Sequence, residues 1–270
     1  MKKVKSNLRW PGGKSKMTKI LDKFFPNEVN KYLEVFTGGG SVLLYIIQKY
    51  YPQVIYANDI DCKLINYYNT VKNNPQSIID ECLEIKNQFN CETFKNEFSN
   101  LDRNKASHFF ISNKSSFSGL NKNYSSQAFN RNFTIDGINK IEDISSVIQR
   151  VTFLNTDFVK LDDYIENIDG FFIYLDPPYK ENNKIGLYGD KGELHKNFNH
   201  DMLFEWVKNH SKNNKIMISY DESSYIRNLY KDYNIYSFDF VYSMTNVGGK
   251  VCKKGGEIVI TNYDIDMCPF

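Results

Sequence analysis

Apolar and polar residues follow two different periods along this chain, and the switches between them mark out its elements. Lys31-Tyr32-Leu33-Glu34-Val35-Phe36 is a largely apolar run of strand length, and Val54-Ile55-Tyr56-Ala57 is a second. Between them, Ser41 to Tyr51 places Val42, Leu43, Ile46 and Ile47 on one helical face. Strand, helix and strand within roughly 30 residues predict a βαβ unit and hence a parallel sheet. Further strands are predicted at Val151 to Leu154, Phe171 to Leu175 and Ile216 to Ser219. Tyr236 to Met244 and Glu257 to Asn262, separated by Gly248-Gly249 and Gly255-Gly256, read as a long hairpin with at least one antiparallel strand. The expected fold is α/β, with seven strands, mostly parallel, and an antiparallel hairpin at the carboxyl end.

Residues 67–148 break this rhythm. Helices are predicted over Ser77 to Phe89 and Ala106 to Asn113, and a polar segment rich in Ser, Asn and Gln follows. Gly119 to Asn132 offers nothing to bury and is expected to be an exposed loop. The chain therefore divides into residues 1–66, a mainly helical insertion at 67–148, and residues 149–270. A polar insertion of this kind in an α/β sheet is more often a recognition subdomain than a linker.

Composition narrows the class. With 41% hydrophobic and 24% charged residues, and a mean hydropathy of -0.51, the chain is too apolar for disorder and too polar for a membrane protein. The run Val42 to Ile47 is far shorter than the ~20 apolar residues of a membrane span. Lys2, Lys3 and Lys5 are followed by no apolar stretch, so no signal peptide is read and a cytoplasmic location is expected. A net charge of +2 neither demands nor excludes nucleic acid, since only a local basic face matters. Cys62, Cys82, Cys91, Cys252 and Cys268 form no C-x-x-C pair and no zinc pattern with His108, His195, His200 and His210. Reduced thiols and no metal are expected, with His195 and His200 as solvated loop side chains.

Three segments carry chemistry. Phe36-Thr37-Gly38-Gly39-Gly40-Ser41 follows the first strand and opens a helix, where glycines permit a tight turn and close approach of a ligand. The dinucleotide fingerprint fails, because counting from Gly38 its third glycine falls on Leu43; a nicotinamide dehydrogenase is thereby excluded. An adenosine-bearing ligand without a pyrophosphate fits better. Asp59 ends the second strand, where a carboxylate can accept from both ribose hydroxyls; the competing role, capping the next helix, can be filled by Asp61. Asp176-Pro177-Pro178-Tyr179 follows the strand Phe171 to Leu175. Its prolines stiffen the strand exit and leave nearby carbonyls free to accept from a substrate amine. An acid and an aromatic are thus held at the mouth of the sheet, where open α/β folds bind ligands. The third segment, Arg9-Trp10-Pro11-Gly12-Gly13-Lys14, can lay an aromatic and a cation against a small ligand.

Together these segments resemble the D12 class (alpha group) of DNA adenine N6-methyltransferases. The order matches: a W-x-G-G-K element, an F-x-G-x-G turn, an acidic strand end, an insertion, and D-P-P-Y. Asn155-Thr156-Asp157-Phe158 is similar to the family's motif before D-P-P-Y. The resemblance implies a Rossmann-like methyltransferase sheet, an inserted target-recognition subdomain, S-adenosylmethionine as cofactor and double-stranded DNA as partner. Trp10, Gly13 and Lys14 would contact the cofactor, Gly38 and Gly40 shape the turn beside it, and Phe36 lie next to its adenine. Asp59 would hold the ribose, Asp157 read the adenine amine, and Asp176 sit where cofactor and target meet.

Asn113 to Leu120 aligns with the family's N-R-x-G-[YF]-N-G-[LI] segment, putting Phe117 where an aromatic wedges into the DNA stack. Ser118 departs from that pattern, and Lys122 to Phe133 replaces the stretch that accompanies GATC recognition. A cognate restriction endonuclease is a further candidate partner, and monomer is the family default.

The implied chemistry requires the target adenine to leave the helix. Phe117 would fill the gap, and Tyr179 would stack on the flipped base. Asp176 and the Pro177 carbonyl would accept from the amine, Asp176 stabilising the positive charge that develops on nitrogen. Asp176→Ala should then remove turnover and leave the fold intact. Lys114, Lys122 and Arg131 would contact phosphates. An RNA methyltransferase and a non-catalytic DNA-binding protein on the same fold are the rival readings.

Overall fold

The computed structural model describes residues 3–179, 198–241 and 254–265. Among the described residues there are seven strands: β1 (Lys31–Glu34), β2 (Val54–Asn58), β3 (Val151–Leu154), β4 (Phe172–Leu175), β5 (Lys215–Asp221), β6 (Asn234–Val241) and β7 (Lys254–Thr261). They form one sheet in the order β3-β2-β1-β4-β5-β7-β6. The first five pair in parallel, and β7 runs antiparallel to both β5 and β6. All four residues of β4 are buried, as expected of a parallel strand covered on both faces. Gly255 and Gly256 lie inside β7 and do not separate the hairpin arms. Gly248-Gly249, Cys252, Cys268 and His195 fall outside the described residues.

Among the described residues, eight α-helices of six residues or more accompany the strands: α1 (Ser41–Tyr50), α2 (Cys62–Asn73), α3 (Pro75–Gln88), α4 (Ala106–Ser115), α5 (Ser126–Asn132), α6 (Ile135–Ile148), α7 (His200–His210) and α8 (Ser224–Leu229). Local sequence fixes their starts. Asp61 caps α2 by accepting from the N–H groups of Lys63 and Leu64 at 2.9 and 3.3 Å, and Asn74 caps α3 with Pro75 in its first turn.

Alternation along the strands feeds two cores. Tyr32, Phe172, Tyr174 and Met217 point to one face; Leu33, Ile173, Ile216 and Ile218 point to the other, against Leu203, Trp206 and Ile226. The insertion packs on the first face, where Phe109, Phe110, Ile138 and Ile141 join the same buried cluster as Tyr32 and Ile55.

The packing corrects three expectations. The boundary between residues 66 and 67 falls inside α2, because Leu64, Tyr67, Tyr68 and Val71 present one continuous buried face. Gly119 to Asn132 is not an open loop throughout. Ser125 caps α5 by accepting from Ala128 N at 3.2 Å, and Phe129 packs at 5.1 Å from Phe94 and 5.4 Å from Phe133. His200 is buried at the start of α7, with Nδ1 3.0 Å from the Tyr220 hydroxyl.

Among the described residues, no helix is long and apolar enough to cross a membrane. Nor is any group of His, Cys, Asp and Glu among them placed to hold a metal ion. Cys62, Cys82 and Cys91 are free thiols.

Candidate active site

The strand order reverses between β1 and β4, the position where open α/β sheets bind ligands beyond their carboxyl ends. A cleft of ≈ 650 Å³ opens there, within the ordinary range for a small-molecule site. Trp10, Gly13, Lys14, Phe36, Gly38, Gly40, Asp59, Asp157 and Asp176 all line it, so the structure brings every expected cofactor residue to one cleft.

The glycine turn has a packing reason as well as a conformational one. Gly38 and Gly40 adopt φ of +47° and +67°, a region that disfavours side chains. A Cβ on Gly38 would lie 2.6 Å from Trp10 Nε1, and one on Gly40 would lie 2.6 Å from the Tyr68 hydroxyl oxygen. The amino-terminal Trp-Pro-Gly-Gly turn thus sits directly on the glycine turn, closed by Gly13 N–H donating to Trp10 O at 3.0 Å.

Asp59 holds this turn together. Its Oδ2 accepts from Gly38 N–H at 2.8 Å and its Oδ1 from Asp61 N–H at 3.0 Å. Burial raises its carboxyl to about 6 against the opposing pull of those backbone bonds. Asp157 starts a short turn by accepting from Val159 N–H at 3.2 Å. Phe36 packs against Phe158 and Phe198 at 5.9 and 5.6 Å.

Lys14 takes a position that the sequence does not specify. It is 3% exposed and donates to both oxygens of Asp176 at 2.7 Å, across 162 residues of chain. Ser219 lies 3.3 Å from Asp176 Oδ1 and is itself bonded to Tyr174 at 2.6 Å.

Of the D-P-P-Y segment, Asp176 and Pro178 line the cleft. Tyr179, expected to face a target base, is 9% exposed and packs behind the wall. Its hydroxyl donates to Glu257 Oε2 at 3.0 Å, and its ring lies 6.0 Å from Tyr220.

Two acids were not singled out in the sequence. Glu34 ends β1, is 2% exposed, accepts from the Tyr32 hydroxyl at 2.7 Å and lines the cleft. Burial, opposed by that bond, holds its carboxyl well above the usual carboxylate range, with Asp176 and Asp59 adding to the rise. An acid at the end of an apolar strand, four residues before the first glycine of the turn, is the signal that could have marked it. Glu257 is fully buried on β7; nothing local in the sequence flags it.

The insertion reaches the cleft through Arg103, Leu120, Asn121 and Lys122. Phe117 stands at a turn tip and is 62% exposed. Lys122 and Arg131, two of the three cations expected on phosphates, are exposed; Lys114, the third, is not. It belongs to the last turn of α4, is buried, and its ammonium lies 5.4 Å from the Phe110 ring one turn back. Burial, reinforced by Arg9 and Lys140, pushes its amine down to about 8.

Reversal of strand order between β1 and β4, with β7 slotted between β5 and β6, gives the mostly parallel, Rossmann-like sheet that the resemblance to methyltransferases implied. Within that class, the chain belongs to the D12 class of N6 adenine-specific DNA methyltransferases, which matches residues 10–244. The type II methyltransferase M.MjaIII of Methanocaldococcus jannaschii is 28% identical over 96% of this chain and 99% of that protein. The type II methyltransferase M1.LlaDCHI of Lactococcus lactis is 28% identical over 97% and 98%. A DNA adenine methylase of Haemophilus influenzae is 40% identical over 78 residues, 29% of this chain and 26% of that protein.

Proposed function

We propose that the protein transfers the methyl group of S-adenosylmethionine to N6 of an adenine flipped out of double-stranded DNA, in a restriction-modification or phage/regulatory setting. The observation that carries this reading is the convergence of Glu34, Asp59, Asp157 and Asp176 on one cleft beside the glycine turn. Carboxyl groups along one wall suit a ligand with an ammonium, a sulfonium and ribose hydroxyls, so the residues present fit the cofactor. When bound, the cofactor supplies an electrophilic methyl group on a sulfonium.

The chain's own residues do the rest. Asp59 accepts from the ribose, Glu34 and Lys14 border the charged end, Trp10 packs beside the glycines, and Asp157 takes the adenine amine. Asp176 and the Pro177 carbonyl accept from the target N6 amine. These bonds favour a more tetrahedral nitrogen and free its lone pair, which is otherwise delocalised into the ring. As positive charge develops on nitrogen, Asp176 stabilises it, and proton loss follows. Closeness and alignment of the two reactants supply much of the acceleration. Phe117 fills the space the base leaves, with Lys122 and Arg131 on the phosphates.

The test is incubation with S-adenosylmethionine and unmethylated genomic DNA, followed by single-molecule sequencing for N6-methyladenine. Methylated adenines within one short sequence are expected. No methylated base in the presence of intact cofactor binding would overturn the proposal.

Cofactor affinity should depend on pH through Asp59. Ribose hydroxyls need the ionised carboxylate, so affinity is full above about pH 6 and lost as pH falls through that value. Below it, the dissociation constant should rise by up to about tenfold per pH unit. Calorimetric titration from pH 8 to pH 5 checks this, with Asp59→Asn expected to bind weakly and without the inflection. A flat wild-type profile would remove Asp59 from the ribose.

A further inference from the structure

We propose that Glu257, on β7, is a positioning residue that draws the Tyr179 hydroxyl proton away from Asp176 and so keeps that carboxylate open to the adenine amine. The inference rests on the methyl-transfer reading above. Its basis is a competition for one proton. The Tyr179 hydroxyl oxygen lies 3.0 Å from Glu257 Oε2 and 3.3 Å from Asp176 Oδ1, and a phenol has a single proton to give.

Asp176 has little capacity to spare. A carboxylate offers about four acceptor sites. Lys14 occupies one on each oxygen at 2.7 Å, and Ser219 lies 3.3 Å from Oδ1. If Tyr179 also donates to Oδ1, three donors crowd an oxygen with two lone pairs, and less of the carboxylate's charge is left for the amine. If Tyr179 donates to Glu257, Oδ1 carries only Lys14 and Ser219, and Asp176 keeps more of its charge for the amine.

Glu257 is built into the sheet with no other evident duty. It is fully buried, opposite Asp221 on β5 and Phe238 on β6. Its Oε1 has no hydrogen-bond partner among the described residues. A buried carboxyl with one orphaned oxygen costs stability, which fits a group retained for what its other oxygen holds.

The arrangement is sensitive to pH in a definite direction. Burial raises the Glu257 carboxyl to about 7, with Lys14 opposing and Asp176 and Asp221 contributing in lesser degree. Once protonated, Glu257 donates to the Tyr179 oxygen and the phenol proton turns to Asp176. Tyr174 and Tyr179, the other titratable groups facing it from the β4 side, are held far above neutrality by burial. Phe238 adds no charge. Turnover should therefore fall as pH drops through about 7.

Single-turnover methylation of duplex DNA at saturating S-adenosylmethionine, from pH 6 to pH 9, tests this. Wild type should show the inflection near pH 7. E257Q keeps an oxygen that accepts from Tyr179 but cannot take up the proton. It should hold the pH 8 rate within about threefold and lose the inflection. E257L should be about tenfold slower at pH 8 with unchanged cofactor affinity, and adding Y179F should relieve that loss by removing the competing proton.

E257L with the wild-type rate and profile, or E257Q as slow as E257L with the inflection retained, would overturn the inference. If neither Glu257 variant folds, Y179F alone must lose the inflection, and keeping it would be fatal. A wild-type protein that methylates no DNA would instead overturn the functional reading itself.

Discussion

Asp176→Asn is expected to slow methyl transfer by about a thousandfold and, at the same time, to loosen the fold. The kinetic part follows from position. Asp176 is the cleft-lining carboxylate at the exit of β4, and loss of one preorganised group facing developing charge costs on the order of 10²–10³ in rate. The stability part follows from Lys14, which is 3% exposed and has Asp176 as its carboxylate partner at 2.7 Å. Breaking a buried pair from one side costs roughly 3–5 kcal/mol, because the remaining charge stays desolvated. The side chain of Asp176 keeps 21% exposure, so about 2–4 kcal/mol is the better expectation, after discounting for solvent screening. Asp176→Ala would strand Lys14 in the same way, which is why the expectation of an intact fold needs revising. Adding Lys14→Met to Asp176→Asn should restore Tm without restoring turnover, a coupling expected only of contacting residues. Thermal melts and single-turnover rates on the two variants separate these effects. Near-normal turnover in Asp176→Asn would remove this residue from the chemistry.

The pairing of Lys14 with Asp176 also shows where sequence reading stops. Strands were legible because β4 is buried throughout and β5 at its five central positions, which forces mostly apolar runs. Site residues at strand ends were legible for a related reason: a turn, a cap or a proline exit leaves a local chemical signature. Asp61, read as sufficient to cap α2, does cap it, which leaves Asp59 for the glycine turn. The helical insertion was harder. Phe129 and Phe133 are one helical turn apart, yet the polar residues around them hid a buried face that closes against Phe94 and Tyr124. Glu257 lies 78 residues from the hydroxyl it holds, and it meets Tyr179 only because β7 inserts beside β5. An acid in an apolar strand has no readable role until the neighbouring strand is known. Lys114 was expected on a phosphate because a lysine in a polar stretch looks available, and only tertiary packing turns it inward.

Phe117→Ala should lower kcat/KM for duplex DNA by about 10–100-fold while leaving cofactor affinity unchanged. The ring is 62% exposed, and its backbone is held firmly. Phe117 N–H donates to Asn123 O at 2.9 Å, Ser116 bridges to Tyr124, and Ser118 takes a left-handed φ of 53°. Behind the tip, buried Asn113 donates to Arg9 O at 2.8 Å and Gly119 O at 2.9 Å, and accepts from Arg9 N–H at 2.9 Å. Arg9 in turn donates to Ser116 O at 2.8 Å. The turn tip is thereby tied to the Trp10–Lys14 segment that borders the cleft. A rigidly presented aromatic gives up little entropy on stacking, worth about 1–3 kcal/mol against a base, and extrusion of the target costs a few kcal/mol. The ring therefore offsets a large share of the extrusion cost. A mismatch opposite the target adenine lowers that cost independently, so the gap between wild type and Phe117→Ala should narrow on mismatched duplexes. An equal gap on matched and mismatched DNA would mean that Phe117 acts after the base has left the stack, on recognition and not on extrusion.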